Sequence, residues 1–223
     1  MNKLIECVPN FSEGRDLDKI NSIVDVMSNV DQVTILNVDP GTDTNRTVVT
    51  MVGSPNSISE SIFRGIKLAS EILDMSNHVG THPRMGATDV CPFIPISGVS
   101  NEECIKISKE VGKRVGEELN IPVFLYEKSA TSLNREKLPD IRKGEYEGLS
   151  DKLNHPDWEP DFGPRKVHIR AGAIAMGCRD FLIAYNINLN TRDARLATDI
   201  AFELREAGRS KRTPNVLSKN LLD

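Results

Sequence analysis

No apolar run in this sequence approaches the roughly 20 residues that a membrane-spanning helix requires. The opening "MNKLIECVPNF" lacks a basic stretch followed by an apolar core, so it does not read as a signal peptide. Cations are not in excess: 28 Lys and Arg stand against 32 Asp and Glu, a net charge of -4. That balance argues against non-specific nucleic-acid binding. Aromatic residues are scarce at 5%, which points to an aliphatic core. The cysteines, Cys7, Cys91, Cys104 and Cys178, are scattered without CxxC spacing. They read as reduced, buried thiols rather than a disulfide framework or zinc site. No HExxH pattern, internal repeat or low-complexity segment is present. What remains is a soluble cytoplasmic protein of 223 residues, 39% hydrophobic, large enough for one large domain or two small ones.

The hydrophobic pattern gives an ordered set of elements. "LIECV" (4–8) is a short strand ended by "PNFSEGR". A helix follows, with Leu17, Ile20, Ile23, Val24 and Met27 on one face. "QVTILNV" (32–38), the turn "DPGTDTN" (39–45) and "RTVVTMVG" (46–53) read as a hairpin. Ser57 and Glu60 form a capping-box pattern before a helix carrying Ile62, Ile66, Ala69 and Leu73. "DVCPFIPI" (89–96) is a strand, placed at a sheet edge by Pro92 and Pro95. Ser100 and Glu103 cap another helix, and "IPVFLYE" (121–127) is a further strand. Residues 128–166 are polar and irregular, with helix expected in "NREKLPDIRKGEYEGL". "DFLIAYNINLN" (180–190) reads as a strand and "TRDARLATDIAFELREAGR" as an amphipathic helix with Leu196, Ile200, Ala201 and Leu204 on one side.

The fold class is therefore α/β (α+β): a ferredoxin-like β-α-β-β-α-β core, extended by a further helix and strand, with a second α/β lobe beginning after it. Right-handed connection brings the loops "PNFSEGR", "DPGTDTNRT" and "HVGTHPRMGATD" to one end of the sheet. Convergence of three polar loops is the main functional signal in the residues themselves.

Within those loops His82 suits proton transfer near neutral pH, or else serves as a structural histidine. His78, four residues earlier, suggests a metal pair, but Gly80 and Pro83 oppose a continuous helix there, so no metal is expected. His78 reads instead as a residue at a helix C-terminus. Asp39, Asp43 and Asp89 are turn formers or partners for a histidine. Arg46 and Arg84 pair with those aspartates or clamp a carboxylate. "GPRKVHIRAGAIAMG" (163–177) combines glycines with Arg165, Lys166, His168 and Arg170; it reads as a close approach to an anionic ligand or as a mobile basic linker.

The strings "LIECVPNFSEGR", "NRTVVTMVG", "HPRMGATDVCPFIPI", "IPVFLYE", "IRKGEYEGL", "PDFGP" and "FLIAYNINLN" resemble, in order and spacing, those of glutamate formiminotransferases. The resemblance covers nearly the whole chain. It implies transfer of the formimino group from N-formimino-L-glutamate to N5 of tetrahydrofolate, giving 5-formiminotetrahydrofolate and L-glutamate in histidine degradation. It implies His82 as the catalytic base and tetrahydrofolate as co-substrate, with no metal. The folate segment would be Gly163, Pro164, Arg165, Lys166, Val167, His168, Ile169, Arg170, Ala171 and Gly172. Asp39, Arg46 and Arg84 are then candidates for substrate contact. Residues 1–180 would form an N-terminal lobe and 181–223 the start of a C-terminal lobe that is incomplete as it stands. Polyglutamated folate is an expected ligand and a homodimer the expected assembly; nucleic acid and membrane are not expected partners. Formyl transfer between 5-formyltetrahydrofolate and glutamate would suit the same residues. A non-catalytic folate-binding or partner protein is the alternative if the second lobe is absent.

Overall fold

The computed structural model describes residues 3–183, 187 and 189–204. The chain divides into two units, Met1–Phe181 and Leu182–Asp223. The first is built on one seven-stranded sheet. β1 (Leu4–Cys7) and β2 (Asn10–Phe11) lie end to end, both antiparallel to β4 (Arg46–Gly53) on one side and β5 (Thr88–Ser97) on the other. β3 (Val33–Gly41) forms the expected antiparallel hairpin with β4. The order β3, β4, β1/β2, β5 is that of a ferredoxin-like unit. β7 (Ile174–Cys178) then runs parallel to β5, and β6 (Val123–Leu125) parallel to β7.

Two of these placements correct the sequence reading. β5 is interior, not at an edge. Pro92 is tolerated because it faces the interruption between β1 and β2, where Val8 donates to its carbonyl (3.3 Å). Pro95 lies past Phe93, the last residue paired with β7. Second, "IAMGC" is neither linker nor basic; it is the fully buried strand β7. The helix expected to start at Ser57 starts earlier, as α2 (Pro55–Ile72). Ser54 is its N-cap, and Pro55 is pre-set for the first turn. The Ser100–Glu103 capping box on α3 (Asn101–Leu119) is as expected.

Alternation along the strands assigns the two faces. Cys91, Phe93, Val123, Ile174 and Met176 join Ile5, Cys7 and Met51 in the main core, covered by α1 (Leu17–Ser28), α2 and α3. Val90, Phe124 and Ala175 belong to a second cluster with Met85, Ile141, Leu149 and Leu153. That cluster carries α4 (Leu138–Arg142) and α5 (Leu149–Asn154), of five and six residues. Helices this short do not stand alone in water. Burial of Ile141, Leu149 and Leu153, worth roughly 1.5–3 kcal/mol per side chain, fixes them to the sheet. All four cysteines are free and buried.

In the second unit α6 (Ala194–Leu204) is amphipathic, as its spacing predicts. Ile200, Ala201 and Leu204 line a concavity with Ile187 and Leu189. Leu196 and Leu204, expected on that face, are 47% and 55% exposed. Of the strand expected over 180–190, residues 180–183, 187, 189 and 190 are not in a strand; Ala184, Tyr185, Asn186 and Asn188 lie outside the described residues. Among the described residues, no helix is long and apolar enough to cross a membrane.

Candidate active site

The three polar loops do meet at one end of the sheet. Asn45 Oδ1 accepts from the Gly14 amide (3.0 Å), and Asn45 Nδ2 donates to the Val79 carbonyl (3.0 Å). The Thr81 amide donates to the Asp43 carbonyl (3.2 Å), and Ser12 Oγ to the Gly86 carbonyl (2.7 Å). Each bond ties one loop to another, so the cluster is held from three directions.

His82 sits in this cluster half-buried. Its Nδ1–H donates to the Pro83 carbonyl (2.7 Å), which fixes the tautomer and leaves Nε2 as the ring's acceptor. Arg46 Nη1 lies against the ring, 2.6 Å from Nδ1 and 2.8 Å from Nε2. Burial first, then the adjacent Arg46 cation, lowers the His82 pKa below its ordinary value. The imidazole is thus kept neutral near pH 7, ready to take a proton. Activity that depends on neutral His82 should persist below pH 6.5 and fall as pH drops through the lowered pKa. Replacing Arg46 with glutamine removes the neighbouring cation and should move this acid limb of kcat/KM upward. An unmoved limb in a pH–rate profile of R46Q would show that Arg46 does not set the titration.

Arg46 itself leans on Asn10 Oδ1 through Nε (3.0 Å) and Nη2 (2.5 Å). Burial presses its pKa down to about 10, still high enough to keep the charge at neutral pH. Its counter-charge is Asp89, fully buried, 3.7 Å away. Asp89 also pairs with Arg142 (2.5 Å) and accepts the Met85 amide (2.9 Å). Of the three aspartates considered in the sequence, Asp89 is the one that reaches the histidine's neighbours. Asp39 is exposed on β3 and makes no hydrogen bond or ion pair with His82. Asp43 contributes only its carbonyl to Thr81.

Arg84 was a candidate carboxylate clamp, but all five of its N–H groups are engaged within the chain. They reach Glu145 (2.9 Å), Glu147 (2.8 and 2.6 Å), His78 Nδ1 (3.1 Å) and the His78 carbonyl (3.1 Å). Its partners are glutamates rather than the aspartates expected. The hydrogen bond from Arg84 holds Glu147 down at about 2. His78 is a helix-terminal residue, as expected: it caps the C-terminus of the 3-10 turn Met75–Asn77, its amide donating to the Met75 carbonyl (3.3 Å), although α2 itself ends at Ile72. Its Nε2–H donates to the Asn45 carbonyl (2.8 Å) and its Nδ1 accepts from Arg84, so both ring nitrogens are taken.

Residues 163–172 form a bonded turn, not a loose linker. Arg165 donates to the carbonyls of Leu153 (2.5 Å) and Asn154 (2.9 Å), and Arg170 to that of Glu71 (3.0 Å). His168 Nδ1 accepts the Ala171 amide (3.0 Å). Ala171 is buried, Val167 half-buried and Ile169 68% exposed. Lys166 is exposed and makes no side-chain bond. The turn is joined directly to the histidine loop: Ala87 donates to Ala171 (2.9 Å), Ala173 to Met85 (3.1 Å), and Gly86 bridges Gly172. Only glycines permit this approach. A Cβ on Gly86 would lie 2.0 Å from the Ala173 carbonyl oxygen, and Gly172 has φ +67. We expect Gly86→Ala to cost about 1–3 kcal/mol through this overlap, read as a lowered urea midpoint. An unchanged midpoint would mean that the two backbones separate freely.

A charged pair on the second face escaped the sequence reading. Arg142 and Glu145, in "IRKGEYEGL", reach the histidine loop from residues more than fifty positions away. Nothing in the local string points to Asp89 or Arg84; only the packing of α4 under the sheet brings them there.

The arrangement defines an α+β domain that presents a neutral, oriented histidine among buried arginines, joined through glycines to a basic turn. Residues 4–179 match the family described as the formiminotransferase domain, N-terminal subdomain. The chain belongs to that family. It is 51% identical over 218 residues to a formimidoyltransferase-cyclodeaminase of Dictyostelium discoideum, covering 97% of this chain and 40% of that protein. It is 47% identical over 208 residues to a glutamate formimidoyltransferase of Streptococcus pyogenes serotype M1, covering 93% of this chain and 70% of the relative. A glutamate formimidoyltransferase of Thermoplasma acidophilum is 48% identical over 204 residues, 91% of this chain and 67% of the relative.

Proposed function

We propose that this chain carries the histidine base and the folate-contacting turn of a glutamate formimidoyltransferase. In this reaction the formimino group of N-formimino-L-glutamate moves to N5 of tetrahydrofolate. The observation that carries the reading is His82: neutral, held through Nδ1, with Nε2 directed to a group other than backbone. N5 is a secondary amine and must lose a proton as it attacks the formimino carbon. The departing glutamate nitrogen must gain one. A single neutral imidazole serves both steps, typically a 10²–10⁴-fold effect. Arg46 beside Nε2 favours return of the proton, because it disfavours the imidazolium.

The turn at 163–172 suits a folate in its chemistry. Ile169 offers exposed apolar surface, Lys166 an unpaired cation, and the glycines a close backbone. Arg165 and Arg170 are already spent on carbonyls, so Lys166 is the better candidate for an anionic tail. Support for a second lobe after residue 181 comes from the matched region, which ends at residue 179, and from the greater length of the relatives. The test is transfer from N-formimino-L-glutamate to tetrahydrofolate, followed by the appearance of L-glutamate. Parallel reactions with 5-formyltetrahydrofolate and glutamate separate formimino from formyl transfer. Turnover with the formyl pair and none with the formimino donor would overturn the donor assignment.

A further inference from the structure

Beside His82 lies a cavity of about 410 Å³, also lined by Pro83, Pro139, Arg142, Lys143 and Glu145. We infer that Arg142 anchors the α-carboxylate of the amino-acid substrate in this cavity; the inference rests on His82 being the base of the transfer proposed above.

The arginines near His82 differ in how many donors they have left. Arg84 has none free. Arg46 is committed to Asn10, His82 and Asp89. Arg142 makes one side-chain hydrogen bond, from Nη2 to Asp89. Its Nε is buried without a partner. A guanidinium this enclosed, 13% exposed, is costly to leave under-bonded. The backbone around it is fixed: Lys152 donates to the carbonyls of Asp140 (3.2 Å) and Ile141, next to Arg142 at the end of α4.

Charge leads to the same assignment. Asp89 is one carboxylate facing two cations, Arg46 and Arg142. Glu145 lines the cavity but is paired with Arg84. Lys143 adds an exposed cation. With His82 neutral, the pocket carries surplus positive charge, which a carboxylate would balance. A planar, under-bonded guanidinium fork suits a carboxylate better than a point charge does.

Bond connectivity identifies which carboxylate. The nitrogen that leaves in the transfer is the α-amino nitrogen of glutamate. Its α-carboxylate is attached to the adjacent carbon, so it must lie close to the base that protonates that nitrogen. The carboxylates of a folate sit beyond its aminobenzoyl group, far from N5. A carboxylate site in the cavity of His82 therefore belongs to the small substrate.

The test titrates L-glutamate into the full chain and follows the His82 ring resonances by NMR across pH. Saturable binding should raise the His82 pKa, since a bound anion stabilises the imidazolium. Arg142→Gln should weaken binding by about 10- to 100-fold, the range for a lost hydrogen-bonded charge. Arg142→Lys keeps a cation on Asp89 but loses the fork, and should weaken it about 10-fold if the glutamine variant does not fold. Polyglutamated folate is the second arm: its affinity should be unchanged by either substitution. Unchanged L-glutamate affinity in a folded variant, no binding by the wild type, or loss of folate affinity alone would each overturn the assignment. Glutamate binding lost in the variants of a chain that performs no formimino transfer would keep the subsite and remove the reaction. Transfer retained, with glutamate binding indifferent to Arg142, would do the reverse.

Discussion

Replacing His82 with alanine is expected to lower turnover by about two to four orders of magnitude while leaving the fold in place. The fold should survive because His82 is half-buried and contributes to neither hydrophobic cluster. Its one backbone bond, to the neighbouring Pro83 carbonyl, is local. Chemistry should suffer because His82 is the neutral, oriented base in this cavity, and water cannot take and return a proton at the same point. The measurement is tetrahydrofolate-dependent transfer, in parallel with a urea titration. Near-normal turnover in a folded H82A variant would exclude His82 as the base. Lost turnover with an equally lost midpoint would assign it to structure instead.

Asp89→Ala should have the largest effect on stability, about 3–5 kcal/mol, because it strands two buried cations. Arg46 and Arg142 are 11% and 13% exposed and Asp89 is fully buried, so solvent screens the cluster little. The Met85 amide would lose its acceptor as well. Removing one partner of a buried pair is costly whatever the net worth of the intact pair, because the desolvated charge stays behind. Urea unfolding of D89A reads the effect. A midpoint close to wild type would show that water enters and solvates both guanidiniums.

Much of the fold was legible in the sequence because its first hundred residues are local and strongly patterned. The hairpin at 32–53 follows from two β-branched runs around a turn, and the capping box at Ser100 from chemistry within one helical turn. The order β-α-β-β-α-β then placed three loops together without any contact being known. The failures have one physical origin. "IAMGC" carries small residues, with neither charge nor alternation, so nothing local distinguishes a buried parallel strand from a linker. Its identity is set by β5 and β6, far away in sequence. The same holds for the prolines of β5, which suggested an edge until the break between β1 and β2 supplied a place for one of them. At the site, His82 drew attention in the sequence because its loop is dense in polar groups. The saturation of Arg84 and the under-bonding of Arg142 were not legible, since both depend on how α4 and the turn after it pack under the sheet.

The late position of β7 in the chain has a kinetic consequence. The hairpin and its flanking helices pair over short sequence distances and are placed to form early. β7 must find β5 across roughly eighty intervening residues, and such distant parallel pairing is slow. Until it inserts, the bonds from Ala87 to Ala171 and from Ala173 to Met85 cannot close. The histidine loop would then exist before the turn it is joined to. During refolding, recovery of secondary structure should therefore precede recovery of ligand binding, with insertion of β7 as the step that separates them.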